Sequence, residues 1–211
     1  MAPVTKIMYF KTTASYLQDP SRLIAELTTA SSADIAPIEG LSKLIVDRLR
    51  AYIGFETEDP SNAFWVFGRS SLRHTSSNRQ DTFKATQAIS QQIFASTPTS
   101  VFVNFSDTSR IFSAPVTEFV TFTLKEGVSM DALQPLVAQL EEKLQGTPKF
   151  YGSSWASVND KPNVVYGVLG WESVQAHWDA VTSGPLKDII DEVKKIADLW
   201  LVHAILTQSN A

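Results

Sequence analysis

A set of turn residues recurs along this chain at a constant spacing of 102 positions, as from Gly68 to Gly170. Each half of the chain carries one proline, one glycine and one serine of the set: Pro60 and Pro162, Gly68 and Gly170, Ser71 and Ser173. A chain of 211 residues has room for one large domain or two of about 100 residues each. Because the spacing is constant, we predict two diverged copies of one folding unit.

The second copy has the clearer pattern of strands and helices. Alternating β-branched and aromatic residues predict strands, and apolar residues at helical spacing predict helices. In chain order these are a strand over 116–124, a helix over 131–144, strands over 150–158 and 163–171, a helix over 172–197 and a strand over 199–206. Ser183-Gly184-Pro185 interrupts the second helix, and because proline suits a first helical turn we expect two helical pieces. The order β-α-β-β-α-β is that of a ferredoxin-like unit.

The first copy repeats this order with a longer segment after its first strand. Strands are predicted over 4–11, 50–58, 62–68 and 100–105, and a helix over 72–95. The segment 20–49 includes Ile35 to Gly40, which we interpret as a loop or a short extra helix, and 107–115 is the linker. The predicted units are therefore 1–110 and 111–211. A sheet this rich in aromatic residues needs cover on its second face, so we expect the two sheets to pack against each other.

Composition and charge narrow the classes of function. The chain has no cysteine, which excludes disulfides, thiolate zinc sites, iron–sulfur clusters and a cysteine nucleophile. The net charge of −4 argues against nucleic-acid and anionic-membrane partners. All the arginines lie within residues 1–110, so an anionic ligand would more readily meet that part of the chain. The start lacks an apolar signal segment, so we expect a soluble, cytoplasmic protein.

The stretch Gly170-Trp-Glu-Ser-Val-Gln-Ala-His-Trp178, followed by Ser183-Gly-Pro185, resembles the dimeric α+β barrel proteins. Within that superfamily it is most similar to the antibiotic-biosynthesis monooxygenases and the stress-responsive A/B barrel proteins, including tandem-fused fungal members. The resemblance covers about 116–208 well and the first unit only through the repeat. It implies an α+β fold in which two ferredoxin-like units pack sheet to sheet as a barrel. It also implies one of several activities, since members include cofactor-free monooxygenases, cyclases, isomerases and haem-degrading enzymes.

Three histidines are candidates for acid–base chemistry. His203 lies in the last strand, where both faces are apolar, and it is the best general acid or base if its face is the barrel interior. His177 shares a helix face with Val174 and Trp178, and packing against the sheet is its alternative role. His74 has polar neighbours, so we expect it at the surface.

Aromatic residues are the candidates for holding a substrate. Tyr151 and Tyr166, expected on facing strands, could donate hydrogen bonds to a substrate carbonyl or phenolate and complete the predicted catalytic set. The predicted substrate-binding residues are four tryptophans and one arginine: Trp65, Trp155, Trp171, Trp178 and Arg69. Core packing is the alternative for most of the tryptophans.

Two classes of function remain open from the sequence. The first is a cofactor-independent enzyme that cyclises, isomerises or oxygenates a hydrophobic, polyketide-type small molecule in the barrel cavity, with His203 or His177 as base. The second is a small-molecule-binding or stress-associated protein without turnover. No nucleotide-binding motif and no acidic cluster with metal spacing is present, so we expect no cofactor and no metal. Haem held by one axial histidine remains a third alternative. The chain could be a monomer or, as exposed strand edges favour, a homodimer.

Overall fold

The structure is a computed structural model that describes residues 4–32, 51–68, 80–106 and 108–209. The N-terminal unit contains β1 (Thr5–Lys11), α1 (Ala14–Gln18), α2 (Pro20–Ser32), β2 (Ala51–Glu56), β3 (Asn62–Gly68), α3 (Gln80–Ile93) and β4 (Thr99–Val103). The connection between units contains a short helix, α4 (Ser109–Phe112). The C-terminal unit contains β5 (Val116–Leu124), α5 (Met130–Leu144), β6 (Phe150–Val158), β7 (Lys161–Trp171), α6 (Val174–Val181), α7 (Gly184–Ile196) and β8 (Ala197–Ser209).

The eight strands form one closed antiparallel barrel in the order β1-β3-β2-β8-β5-β7-β6-β4. Within each unit the order is that of a ferredoxin-like sheet, β4-β1-β3-β2 in the first and β8-β5-β7-β6 in the second. The strand registers confirm the repeat, because Thr5 pairs with Gly68 in one unit and Thr117 pairs with Gly170 in the other. The predicted fold class, two fused ferredoxin-like units forming an α+β barrel, is therefore confirmed.

Two seams join the units. At the first, β2 and β8 pair from Ala51 opposite Ser209 to Glu56 opposite Ala204. At the second, β4 meets β6 at Val103 and Val158. Both edges of each sheet are thus paired inside the chain. Exposed strand edges no longer support a dimer, and the oligomeric state stays a prediction.

Each sheet has an inner face toward the barrel axis and an outer face toward helices. Inside the barrel, Phe64 of the first unit stacks on Phe119 of the second, with ring centroids 4.0 Å apart. The outer faces pack against α2 and α3 in the first unit and against α5, α6 and α7 in the second. Each unit therefore shares the central core and has a separate helix-covered core of its own.

The segment predicted as the linker, 107–115, contains α4, which contributes to the barrel core. Ile111 and Phe112 of α4 are buried, and Phe112 contacts the rings of Tyr52 and Phe119. Thr117 donates a hydrogen bond to the Ile111 carbonyl at 3.2 Å, which fixes α4 at this end of the barrel. The connection thus closes one end of the barrel.

Most predicted element bounds agree with the structure to within two residues. The expected break in the long helix is confirmed, since α6 ends at Val181 and α7 begins at Gly184 with Pro185 in its first turn. The predicted helix over 72–95 is described from Gln80 onward. Arg69, His74 and the segment from Ile35 to Gly40 lie outside the described residues. No helix in the described ranges is long and apolar enough to cross a membrane.

Candidate functional site

His203 faces the helices and not the barrel interior. Its neighbours Val202 and Ala204 belong to the core inside the barrel, and the alternation of a strand puts His203 on the opposite face. His177 on α6 packs against the same outer face. The condition under which His203 would act inside the barrel is therefore not met. The expected location of the histidine site in the barrel cavity is wrong, because the site lies between sheet and helices.

The two histidines contact each other directly. His203 Nε2 lies 2.9 Å from His177 Nδ1, and both side chains are almost fully buried. The other nitrogen of His203, Nδ1, lies 2.5 Å from Oε1 of Glu58. Glu58 Oε2 also accepts a hydrogen bond from the His203 backbone N–H at 3.0 Å. Because Glu58 follows β2 and His203 lies on β8, this contact joins the two units beside their seam.

Glu118 on β5 lies at the buried end of the same cluster. Its Oε2 is 3.6 Å from His177 Nε2 and accepts a hydrogen bond of 2.8 Å from the indole N–H of Trp171. The Glu118 side chain is 4% exposed, whereas that of Glu58 is 40% exposed. The contacts therefore run from a fully buried carboxyl group, through two imidazoles, to a carboxylate that reaches solvent. We call Glu118, His177, His203 and Glu58 the relay.

The environment shifts the pKa values of the relay groups in different directions. Burial raises the pKa of Glu118 to about 8, and the hydrogen bond from Trp171 offsets only part of that effect. Burial, reinforced by the neighbouring His203, lowers the pKa of His177 to about 3. Burial also acts to raise the pKa of Glu58, but hydrogen bonds from His203 outweigh it and hold this pKa below the ordinary value. At pH 7 the relay thus contains a protonated Glu118, a neutral His177 and an ionised Glu58.

These charge states limit where the ring protons lie. The ionised Glu58 accepts a hydrogen bond from His203 Nδ1. The neutral His177 carries one ring proton, and its Nδ1 faces His203 whereas its Nε2 faces Glu118. The arrangement can move a proton between the buried carboxyl group and solvent.

Glu118 and His177 also line a small apolar pocket between the sheet and helices α5 and α7. The pocket has a volume of about 40 Å³. Trp155 forms one wall, with its ring stacked on Phe122 at a centroid distance of 5.2 Å and lying across Gly167. The buried indole N–H of Trp155 has no hydrogen-bond partner among the described residues. The pocket is therefore apolar, with Glu118 and His177 as its ionisable groups.

The structure distributes the predicted tryptophans among different roles. Trp155 lines the pocket, and Trp178 lies partly exposed over the relay, 4.6 Å from the His177 ring and 5.8 Å from the His203 ring. Trp171 is fully buried and holds Glu118 by its indole N–H. Trp65 is buried in the helix-covered core of the N-terminal unit, where its N–H binds Tyr16. The prediction that Trp65 binds substrate is wrong for this site, because its ring packs in the core and its N–H is hydrogen-bonded to Tyr16.

The two predicted tyrosines lie on facing strands, β6 and β7, as expected, but they are not paired with each other. Tyr166 lies opposite Ala156 and points into the barrel, where it is buried. Tyr151 lies at a register shift in β6 and is 38% exposed. Neither tyrosine lines the pocket at Glu118. The prediction that they form one catalytic set with the histidines is therefore wrong.

The N-terminal unit has a different pair of residues at the positions equivalent to Glu118 and His203. By the strand registers these are Lys6 on β1 and Phe102 on β4, and the Lys6 ammonium lies 5.7 Å from the Phe102 ring centre. Of the two sheets, only the C-terminal one combines a carboxyl group and an imidazole at this place. The two units have thus diverged in chemistry while keeping one fold.

Glu118, His177 and His203 together could be considered as a metal site. However, the Glu118 oxygen lies on the Nε2 side of His177, and His203 lies on its Nδ1 side. The potential ligands therefore surround the His177 ring and do not converge on a point outside it. The donor geometry fits proton transfer better than metal binding. Haem does not fit either, because both histidines are hydrogen-bonded and the adjoining space is about 40 Å³.

Solved structures with this architecture include single chains of similar extent. A protein of Lactobacillus acidophilus NCFM, provisionally assigned as a monooxygenase, aligns over 99% of this chain and 96% of its own, with 13% identity and a TM-score of 0.59. A Fusobacterium nucleatum protein with the same provisional assignment aligns over 97% and 92%, with 8% identity and a TM-score of 0.64. An anthrone oxidase-like protein aligns over 98% and 92%, with 12% identity and a TM-score of 0.56. This chain shares their fold.

The expected two-unit fold is thus confirmed, because each alignment covers almost all of this chain and almost all of the solved structure. At these identities the similarity shows the fold and leaves the activity open. No protein-family model and no curated protein matches the sequence.

Neither carboxylate of the relay, Glu118 or Glu58, was predicted from the sequence. Glu118 carries a usable signal, because it shares the outer phase of β5 with Val116, Val120 and Phe122 and is therefore a charge at a core position. Glu58 lies in a polar turn and carries no such signal. Its role follows only from the pairing of β2 with β8.

Proposed function

We propose that this chain is a cofactor-independent enzyme that removes a proton from a hydrophobic small molecule, with Glu118 as the base. The single observation that carries the proposal is the relay, which connects a fully buried carboxyl group at an apolar pocket to solvent. A core does not need such an arrangement for stability, since buried ionisable groups cost free energy. A pKa near 8 suits general acid–base catalysis, because the group exists in both protonation states near neutral pH.

In the proposed reaction the Glu118 carboxylate takes an acidic C–H or O–H proton from the substrate. In this scheme both imidazoles begin as their Nδ1–H tautomers. Glu118 passes a proton to His177 Nε2, the Nδ1 proton of His177 moves to His203 Nε2, and the Nδ1 proton of His203 moves to Glu58, which exchanges it with water. The Glu118 carboxylate is restored, and both imidazoles, then protonated at Nε2, return to their Nδ1–H tautomers before the next turnover. The distance between Glu118 Oε2 and His177 Nε2 is 3.6 Å in the structure. It must shorten by roughly 0.5 Å for the two atoms to form a hydrogen bond.

The fate of the deprotonated substrate depends on its structure. An electron-rich aromatic or polyketide-type carbanion reacts with dioxygen, and an activated CH₂ group plus O₂ then gives C=O plus H₂O. Cyclisation or isomerisation would use the same base without oxygen. The apolar walls at Trp155 favour a hydrophobic substrate over a charged one.

Entry of a substrate requires a change in the helix layer. A pocket of about 40 Å³ holds a water or dioxygen molecule, whereas ligand pockets usually measure about 300 Å³ or more. The break between α6 and α7, where Gly184 has φ of 72°, is the place at which the helices could separate from each other. We infer that substrate binding moves α6 or α7 away from the sheet.

Anthrones are suitable first substrates, because they contain an acidic CH₂ group between aromatic rings and because one structural neighbour is named anthrone oxidase-like. Oxygen uptake and quinone absorbance with 1,8-dihydroxyanthrone should exceed the rate without protein. Glu118→Gln should lower kcat by about 100-fold or more, the usual contribution of a general base. Glu126→Gln, which changes an exposed carboxylate after β5, is the matched control. Equal rates for the two variants would contradict the assignment of Glu118 as base.

Binding of the same hydrophobic molecule without turnover is the second candidate, because the apolar walls of the pocket would serve it equally. Exchange of the anthrone CH₂ protons for deuterium in D₂O without oxygen distinguishes the two. Catalysed exchange that Glu118→Gln abolishes supports an enzyme. Binding of the anthrone with exchange at the uncatalysed rate supports a binding protein.

A further inference from the structure

A second cavity lies inside the barrel, at the end opposite α4. It has a volume of about 320 Å³, and we call it the barrel-mouth cavity. On β5, Thr121 and Thr123 line it, beyond Phe119 as seen from the α4 end. Its residues come from both units and face the barrel axis, so the cavity is separated from the relay by the sheet itself. The volume fits a molecule of one or two rings.

Aromatic surfaces form much of the cavity wall. The Tyr9 ring lies 4.8 Å from Phe64 and meets the Trp200 ring edge-on at 5.6 Å. The side chain of Trp200 on β8 points toward the barrel axis, yet 37% of the residue is exposed. Its ring therefore lies at the opening of the barrel-mouth cavity. A large aromatic side chain left partly open at a concave site is a suitable contact for a flat ring.

Two of the hydroxyl groups that line the cavity belong to tyrosines, Tyr9 and Tyr166. The Tyr9 hydroxyl donates to Glu56 at 2.7 Å, and Glu56 is itself held by Asn62 at 3.0 Å. The Tyr166 side chain is 4% exposed and lines the cavity. Burial raises the pKa of Tyr166, so this hydroxyl remains a donor at neutral pH. A hydroxyl donor in the wall of a cavity can bind an acceptor atom of a ligand.

The mouth of the cavity carries a positive charge. Lys161, the first residue of β7, lines the cavity and is exposed. A ligand with an acceptor oxygen at its inner end and a negative charge at its outer end would match Tyr166 and Lys161 together.

We propose that the barrel-mouth cavity binds a flat hydroxyaryl carboxylate of one or two rings, independently of the site at Glu118. The ring lies against Trp200, the hydroxyl oxygen accepts from Tyr166, and the carboxylate lies near Lys161. Binding here needs no opening of the helix layer.

The test is titration calorimetry with 6-hydroxy-2-naphthoate and with 2-naphthoate, which lacks the hydroxyl group. Tyr166→Phe should weaken binding of the hydroxy compound by about fivefold, the value of one hydrogen bond, and leave 2-naphthoate unchanged. Lys161→Gln should weaken both compounds at low salt, whereas Lys143→Gln, a change of an exposed lysine on α5, should weaken neither. Thr123→Trp, which fills the cavity, should abolish binding of both.

The opposite outcomes overturn the proposal. Equal affinities of wild type and Tyr166→Phe for the hydroxy compound would do so, and so would the absence of binding to the wild type at millimolar concentration. Binding lost in Glu118→Gln but kept in Thr123→Trp would place the probe at the relay pocket instead. Because Tyr166→Phe keeps the ring, it remains informative if Thr123→Trp does not fold.

Discussion

Replacing Glu118 by Gln should remove a pH dependence from the stability of the protein. The folded-state pKa of Glu118 is raised to about 8 from an ordinary value of 4.5. Above pH 4.5 the unfolded chain has therefore lost a proton that the folded protein still holds. The contribution of Glu118 to stability is fully present below pH 4.5 and is lost as the pH rises through 8. Gln cannot ionise, so the variant lacks this loss.

The magnitude follows from proton linkage. Near pH 7 unfolding releases nearly one proton from Glu118, which corresponds to a slope of about 1.36 kcal/mol per pH unit. The slope decreases near pH 8 because Glu118 then ionises in the folded state as well. From pH 7 to 8.5 the free energy of unfolding should fall by about 1 kcal/mol more for the wild type than for Glu118→Gln. The contribution of His177 in this range is small and common to both proteins, because its pKa is lowered in the fold and the unfolded side chain is mostly neutral above pH 7.

Urea unfolding monitored by tryptophan fluorescence at pH 7, 7.5, 8 and 8.5 measures this difference. Groups that titrate in both proteins cancel when the two are compared. Glu126→Gln should keep the wild-type pH dependence, because Glu126 is exposed. If wild type and Glu118→Gln lose the same stability over this range, Glu118 is not protonated in the folded protein at pH 7, and the proton relay as described is refuted.

Two further predictions concern single contacts. Trp171→Phe removes the N–H donor to Glu118. We expect a loss of about 1 to 3 kcal/mol of stability, measured by denaturation. We also expect a further rise in the pKa of Glu118, measured by infrared titration of the carboxyl group. Gly54→Ala brings a methyl group against the backbone carbonyl of Ile205 at the β2–β8 seam; we expect severe destabilisation or no folded protein, judged by circular dichroism. Gly146→Ala, where a Cβ meets no described atom within 4 Å, should change stability by less than about 1 kcal/mol; a similar loss in both glycine variants would contradict the role of the seam.

Local patterns predicted most of the fold. Strand alternation and helical spacing depend on neighbours within a few residues, so β5 and β6 were placed with their observed bounds. The constant spacing between Gly68 and Gly170 predicted the repeat, and the registers with Thr5 and Thr117 show the same relation in three dimensions. The helix α4 was missed because it is a single short turn stabilised by packing against the barrel and not by its own sequence.

The site was less accessible to sequence reasoning, because its contacts join residues far apart in the chain. His177 and His203 were named as candidates, but the partners of their nitrogens lie on other elements, Glu118 on β5 and Glu58 beyond β2. Tyr166 was grouped with the histidines, although the sheet puts it on the opposite face.

The sequence by itself determined the two units, their element order and the residue types able to move protons, since each of these depends on local spacing and composition. Only the tertiary structure decided which face of β8 carries His203 and which carboxyl groups meet it. The physical reason is barrel closure. Pairing β2 with β8 brings Glu58 within 2.5 Å of a histidine 145 positions away, and burial behind the helices changes the proton affinity of Glu118.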